Sequence, residues 1–293
     1  MWNNKLKTTI LLASLSGLLM LFGGLLGGYD GVIIAFVMSL VINGLAYFFS
    51  DKLVLKLYRA QPLNSSEHPE IYKMVKELTE KDKLPMPKLW IIKNKMANAF
   101  ATGRNPNNSS VALTTGIMEI LNLEELRGVI AHEISHIKNR AILIGTIAAT
   151  IAASIGLLAN LVQNLAFWST VSGDNRQRGP NPIILLLLAL IMPIAATLIQ
   201  LAISRSREYL ADETGADLSE DPLALASALE KIHKNVQTEH FANYDAAKSA
   251  TAHLFIIKPF TQGGFTSLFS THPPVAERVA RLKKMHVSIK KSF

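Results

Sequence analysis

His132-Glu133-Ile134-Ser135-His136 decides how the rest of this chain is read. Residues four apart on a helix share a face, so both imidazoles reach toward one point with the Glu133 carboxylate beside them. Neutral imidazole suits zinc, and a neighbouring carboxylate can take a proton from an attacking water. With 8 His in 293 residues, random placement gives this pentad in roughly 1% of such chains. The spacing therefore argues for a metal helix over a surface helix with ordinary histidines.

The flanking residues support a helix here. Asn122-Leu123-Glu124-Glu125 sets a capping residue three positions before a Glu, a variant of the capping box. Leu126, Val129, Ile130 and Ile137 then recur at three- and four-residue spacing. A helix starting near Asn122 puts the His pair about three turns in, on a rigid element. A catalytic zinc takes three protein ligands and keeps one position open, and two His with one Glu is a known set. The third ligand is expected in 204–212, where Glu208 and Asp212 are four apart. Glu208 can bind the ion while Asp212 accepts the free N–H of a ligand imidazole and fixes its tautomer. An exposed helix with charges at that spacing is the plainer alternative.

The chain has no Cys, which excludes disulfides, thiolate ligation and a cysteine nucleophile. Hydrophobic residues make up 49% and charged ones 18%, a balance set by four uncharged runs at 8–29, 31–50, 141–173 and 179–204. Each meets the roughly 20 residues that cross a bilayer as a helix. The first is long, lacks an Ala-x-Ala end and is followed at once by another run, so it reads as a retained anchor and not a signal peptide. Lys5 and Lys7, Lys52, Lys56 and Arg59, Lys138 and Arg140, and Arg205 and Arg207 all flank the runs on one side. By the positive-inside rule that side is cytoplasmic. The net charge of +8 then reads as attraction to an anionic leaflet, with no basic stripe pointing to nucleic acid. The layout expected is two transmembrane helices in 1–50, a cytoplasmic part with the metal helix in 51–140, a transmembrane hairpin in 141–204, and a second cytoplasmic part in 205–293. The two cytoplasmic parts together suffice for one domain.

In the first part, an amphipathic helix is expected over 67–83 and a basic helix over 51–60. Strands are expected at 88–92, 98–103 and 111–114, with 105–109 as a turn. An exposed strand beside the metal helix can pair with an extended peptide with little sequence selectivity. In the second part, helices are expected over 222–234 and 274–284. Ser270-Thr271-His272-Pro273-Pro274 holds an imidazole just before two prolines. His272, supported by Arg278, or Asn98 is a candidate donor to a developing oxyanion, a contribution of about 3 kcal/mol in comparable sites.

Four motifs together carry a resemblance: Asn98-Ala99-Phe100-Ala101-Thr102-Gly103, Ala131-His132-Glu133-Ile134-Ser135-His136, Ser206-Arg207-Glu208-Tyr209-Leu210-Ala211-Asp212 and Thr271-His272-Pro273-Pro274. With the four apolar runs, they resemble the HtpX family of membrane-bound zinc metalloproteases and, more distantly, the prenyl-protein (CAAX) endopeptidases. The resemblance implies one zinc ion on His132, His136 and Glu208, with Glu133 as the catalytic carboxylate. It implies a mostly α membrane protein, with four transmembrane helices and a cytoplasmic α+β gluzincin-like metallopeptidase domain containing a small sheet. It also implies a bacterial inner-membrane enzyme of stress response and protein quality control, acting on misfolded membrane proteins, often beside the FtsH protease. Ala141 departs from relatives that carry Asp soon after the pentad. Competing readings are a prenyl-peptide endopeptidase, a membrane adaptor with a structural zinc, and a transporter. Against the last, the apolar runs contain no ionisable residue.

Overall fold

The computed structural model describes residues 2–147, 205–238, 255–257 and 273–291. It is mostly helical with one small mixed sheet. The first helix, α1 (Trp2–Leu57), is two helical arms meeting at Gly27 and Gly28. Gly28 has φ 57°, a left-handed conformation open to glycine at no steric cost. The chain therefore reverses there, between the arms that carry the 8–29 and 31–50 runs. Past the turn the arms touch: a Cβ on Gly23 or Gly31 would strike the carbonyl oxygen of the other. Farther along, Asn43 Nδ2 donates to the Leu12 carbonyl at 3.2 Å and to Ser16 Oγ at 2.8 Å. Small residues at a close crossing and an amide bridge join helices where water drives no packing.

Among the described residues, one helix is long and apolar enough to cross a bilayer: Gly27–Phe49, with a mean hydropathy of 2.3 and almost none of it buried. The four-span expectation is thus met for one span. The 8–29 run supplies the other arm of the hairpin. Beyond residue 147, the 141–173 and 179–204 runs lie outside the described residues.

The sheet has four strands in the order β1-β2-β4-β3: β1 (Gln61–Pro62), β2 (Lys88–Ile92), β3 (Ala99–Asn105) and β4 (Asn108–Thr114). β2 and β4 run parallel from Lys88↔Ser110 to Ile92↔Thr114, while β3 and β4 form an antiparallel hairpin. The hairpin turns where the sequence predicts, with Asn105 Oδ1 accepting from Asn108 N and Nδ2, each at 2.9 Å. Helix α2 (Pro69–Lys81) fills the center of the amphipathic stretch, starting at a proline. Two elements had no sequence expectation. β1 is two residues long and contains a proline. α3 (Thr115–Ile120) follows β4 directly, started by Thr114, whose Oγ1 accepts from Ile117 N at 3.2 Å.

Helix α4 (Leu123–Lys138) is the central element of the domain. Its capping box is complete: Asn122 Oδ1 accepts from Glu125 N at 2.8 Å, and Glu125 Oε2 accepts from Asn122 N at 3.0 Å. Val129, Ile130, Ala131 and Ile134 are all fully buried. Each buried Ile is worth about 1.5–3 kcal/mol, which seats the helix between the sheet on one side and two later helices on the other. These are α5 (Arg205–Ser219) and α6 (Pro222–Thr238), followed by α7 (Val275–Lys291). α6 begins at Asp221, whose Oδ1 accepts from Leu223 N and Ala224 N. It is clamped to α4 by Glu125, which also accepts from Ser227 Oγ at 2.7 Å and Lys231 Nζ at 2.8 Å. The residues after α4, 142–147, are again helical and pack against β3. The strand read as exposed is therefore not so: Ala99, Phe100, Ala101 and Thr102 of β3 are all buried.

Candidate metal centre

His132 and His136 project from α4 with their ring centroids 4.8 Å apart and their planes nearly perpendicular, at 88°. From α5, Glu208 meets them. Its Oε2 is 3.9 Å from His132 Nε2 and its Oε1 is 3.8 Å from His136 Nε2. One donor atom from each of the three lies within 4.8 Å of the others. Ligands about 2.1 Å from a tetrahedral zinc stand about 3.4 Å apart. The two Glu208 pairs exceed this by about half an ångström and the set as a whole spans up to 4.8 Å, so the cluster is open and side-chain rotations would draw it in around an ion. Two imidazoles and one carboxylate, with no fourth protein ligand among the described residues, fit a zinc with one open position.

α5 reaches the site because Glu208, Ala211, Asp212 and Gly215 lie on one face, at three- and four-residue spacing. Ser135 Oγ joins the Ala211 carbonyl (3.2 Å) to the His132 carbonyl (2.7 Å) across the two helices. Gly215 packs on the backbone of His132 itself, where a Cβ would stand 2.8 Å from both N and Cα. Gly215→Ala must therefore push α5 away from α4 and widen the Glu208–imidazole distances. We expect zinc affinity, measured by chelator competition, to fall about 10- to 100-fold, as for other groups that orient ligands.

Asp212 stands beside the His132 imidazole. Its Oδ1 stands 3.0 Å from His132 Nδ1, an ionic contact and not a well-aligned hydrogen bond. The contact favours a proton on Nδ1 and leaves the Nε2 lone pair for the cluster. Burial alone would lower the His132 pKa, but Asp212 outweighs it and raises the value. Asp212 is in turn gripped by Arg278, with Nε to Oδ2 and Nη2 to Oδ1 both at 2.7 Å. Burial would raise the Asp212 carboxyl, yet the Arg278 guanidinium overcomes it and holds the group at about 2. Arg278 is fully buried, and its remaining donor, Nη1, goes to the Ile256 carbonyl at 2.8 Å. Its hydrogen bonds thus join Asp212 of α5 to the Ile256 backbone. A visible signal was available: Arg278 falls among Val275, Val279 and Leu282, on the apolar face of α7. A cation there needs a buried carboxylate.

Glu133 is buried, with Oε2 accepting from Ala101 N of β3 at 2.7 Å. Burial, with the charge of Glu208 beside it, pushes its carboxyl up to about 7 against the pull of His132 and the Ala101 N–H. A carboxyl titrating near neutrality is suited to accepting and returning a proton. Asn98 is buried one strand position before Ala99, outside the metal cluster. Its Oδ1 accepts from Ile256 N at 3.1 Å, so the Ile256 backbone, by its N–H and its carbonyl, links Asn98 to Arg278. That link spans 158 residues of sequence and has no local signal. His272 lies outside the described residues.

The comparisons agree with this geometry. The model for Peptidase family M48 matches residues 65–286. Proteins named Protease HtpX homolog are 48% identical in Syntrophobacter fumaroxidans over 283 residues, covering 96% of this chain and 99% of the relative. One in Thermococcus sibiricus is 48% identical over 286 residues, covering 97% of this chain and 96% of the relative. The crystal structure of S. mikatae Ste24p shares the fold, with a TM-score of 0.50 at 20% identity, over 96% of this chain and 66% of that one. With its zinc-fitting cluster and likeness to these relatives over nearly its whole length, the chain belongs to peptidase family M48 and is a zinc metalloprotease of the HtpX type.

Proposed function

We propose that this protein is an endopeptidase of the bacterial inner membrane that hydrolyses misfolded or damaged membrane proteins at the cytoplasmic face, as part of a stress response shared with an FtsH-type protease. The chain crosses the bilayer four times, with helices in 1–50 and a hairpin in 141–204. The cytoplasmic domain is assembled from 51–140 and 205–293. The carrying observation is the convergence of His132, His136 and the Glu208 carboxylate within 4.8 Å, beside a buried Glu133. An apolar helix at Gly27–Phe49 supports the membrane setting.

In this reading His132, His136 and Glu208 hold zinc, which as a Lewis acid polarises the scissile carbonyl and makes water more acidic. Glu133 takes the proton of the attacking water and passes it to the leaving amine. Asp212, held by Arg278, keeps His132 in the tautomer that presents Nε2. The Asn98 amide is fixed with its oxygen on Ile256 N, so its Nδ2 is the donor left to steady an oxyanion. His272 is the second candidate for that task.

Purification in detergent, zinc loading and digestion of casein and an unfolded membrane protein tests the activity. The ligand set is tested separately by metal content. Glu208→Ala and His136→Ala should each lose most of their zinc, and near-stoichiometric zinc in either would overturn the assignment.

A further inference from the structure

The apolar helix Gly27–Phe49 is joined to the domain without a linker. α1 continues to Leu57, and Val54, Leu55 and Tyr58 at its end are buried in the core. Tyr58 packs its ring on Phe100 of β3, with centroids 5.5 Å apart. From there β3 runs back along the helix, since Arg104 lays its guanidinium 5.3 Å from the centroid of the Phe48 ring. The two paths match in length. The chain from Phe48 to Tyr58, helical to Leu57, rises about 15 Å. The strand from Phe100 to Arg104 covers about 13 Å. The tip of the β3–β4 hairpin therefore comes level with the last turn of the apolar helix.

That level has the makings of an interface. Tyr47, Phe48 and Phe49 are exposed, an aromatic belt where an apolar run ends. Lys52 Nζ stands 5.3 Å from the centroid of Phe49, and Lys52, Lys56 and Arg59 are all exposed. The run 141–173 begins beside the same strand end, where Thr146 Oγ1 accepts from Gly103 N at 3.3 Å. Among the described residues no acceptor takes the N–H donors of Arg104, and Asn107 and Asn108 at the tip are exposed.

We propose that Arg104 and the tip of the β3–β4 hairpin bind the phosphate of an anionic phospholipid headgroup. The proposal rests on the membrane setting given above and is independent of the peptidase chemistry. A guanidinium offers a fork of N–H donors that matches phosphate oxygens, while its flat face stays on Phe48. A headgroup is the source because the aromatic belt fixes the headgroup layer at this height, and an anionic leaflet attracts cations there. The contact also sets the height of the catalytic centre. Ala101, whose N–H holds Glu133, lies about 10 Å up the strand from Arg104. The general base then works on polypeptide close to the headgroups.

The chain has no Cys, so Asn107→Cys gives a single labelling point at the tip. The full-length, zinc-loaded protein with a fluorophore there is placed in phosphatidylcholine vesicles. These also hold phosphatidylglycerol or phosphatidylcholine carrying a nitroxide high on one acyl chain. Both spin-labelled lipids should quench the probe. Phosphatidylglycerol should do so at about 5-fold lower mole fraction, the worth of one basic side chain at an anionic surface. Arg104→Gln should bring the two lipids level, and Arg104→Lys should keep most of the preference. Inorganic phosphate in solution should leave the preference intact; its loss there would make the ligand free phosphate and overturn the headgroup assignment. Equal quenching by the two lipids without any change at Arg104, a result that needs no Arg104 variant to fold, overturns the site, as does an unchanged preference in Arg104→Gln. A probe that neither lipid quenches, in protein that stays in the vesicles through an alkaline wash, overturns the site and leaves the membrane reading standing. Protein stripped off by that wash overturns both.

Discussion

Glu133→Gln should leave zinc bound and proteolysis reduced about 100- to 10,000-fold, the usual worth of a positioned general base. The amide matches the carboxylate in shape, and its oxygen can still accept from Ala101 N, so the pocket between α4 and β3 keeps its packing. It cannot take a proton from water. The three metal-cluster residues are untouched, and metal analysis should therefore find one zinc per chain. The pH profile adds a second check. Without zinc, Glu133 sits at about 7 because it is buried near another carboxylate, and a dication beside it draws the value down. The acid limb of kcat/KM, if Glu133 causes it, should disappear in the residual activity of the Gln variant. Turnover near the wild-type level would remove Glu133 from the mechanism.

Arg278→Met should produce the largest loss of stability. The guanidinium makes two 2.7 Å bonds to Asp212 and a third to Ile256, all in the interior. Removing one partner of a buried ion pair strands the other charge, at a cost of about 3–5 kcal/mol. The double variant Arg278→Met with Asp212→Asn should lose less than the sum of the two single changes, since each relieves part of the other's damage. The acid side of the stability curve follows from Asp212. Its native carboxyl stands at about 2 against an ordinary 3.8. A carboxyl lowered on folding adds stability above pH 3.8, and that stability drains away as pH falls toward 2. In Arg278→Met the loss should begin at higher pH. Thermal unfolding of the zinc-free proteins between pH 3 and 7 measures this, and a melting curve identical to wild type would show that the pair carries no load.

The parts legible in sequence are those built from near neighbours. The α4 cap, its apolar spacing and the His pair lie within 15 residues of one another, and each interaction is set by helix geometry alone. The same holds for Glu208 and Asp212, whose spacing alone puts both carboxylates on one face. Sequence could not place Arg278 on Asp212, Ile256 on Asn98, or Ser227 and Lys231 on Glu125, because those contacts depend on how α6 and α7 come to rest. β3 was misread as open for a similar reason. Its pattern shows a strand, but what covers its edge is the start of the next apolar run. β1 is too short to leave a periodicity, and α3 is started by a threonine that still belongs to a strand.

The site is divided along the chain, and translation delivers its parts in order. A nascent polypeptide that ends anywhere before 208 carries two imidazoles and no carboxylate to complete their grip on an ion. One that ends before 278 has Asp212 without its counter-charge. The ribosome must make nearly the whole protein, the apolar runs at 141–173 and 179–204 included, before the hydrolase can be armed, so a fragment released early lacks the ligand set.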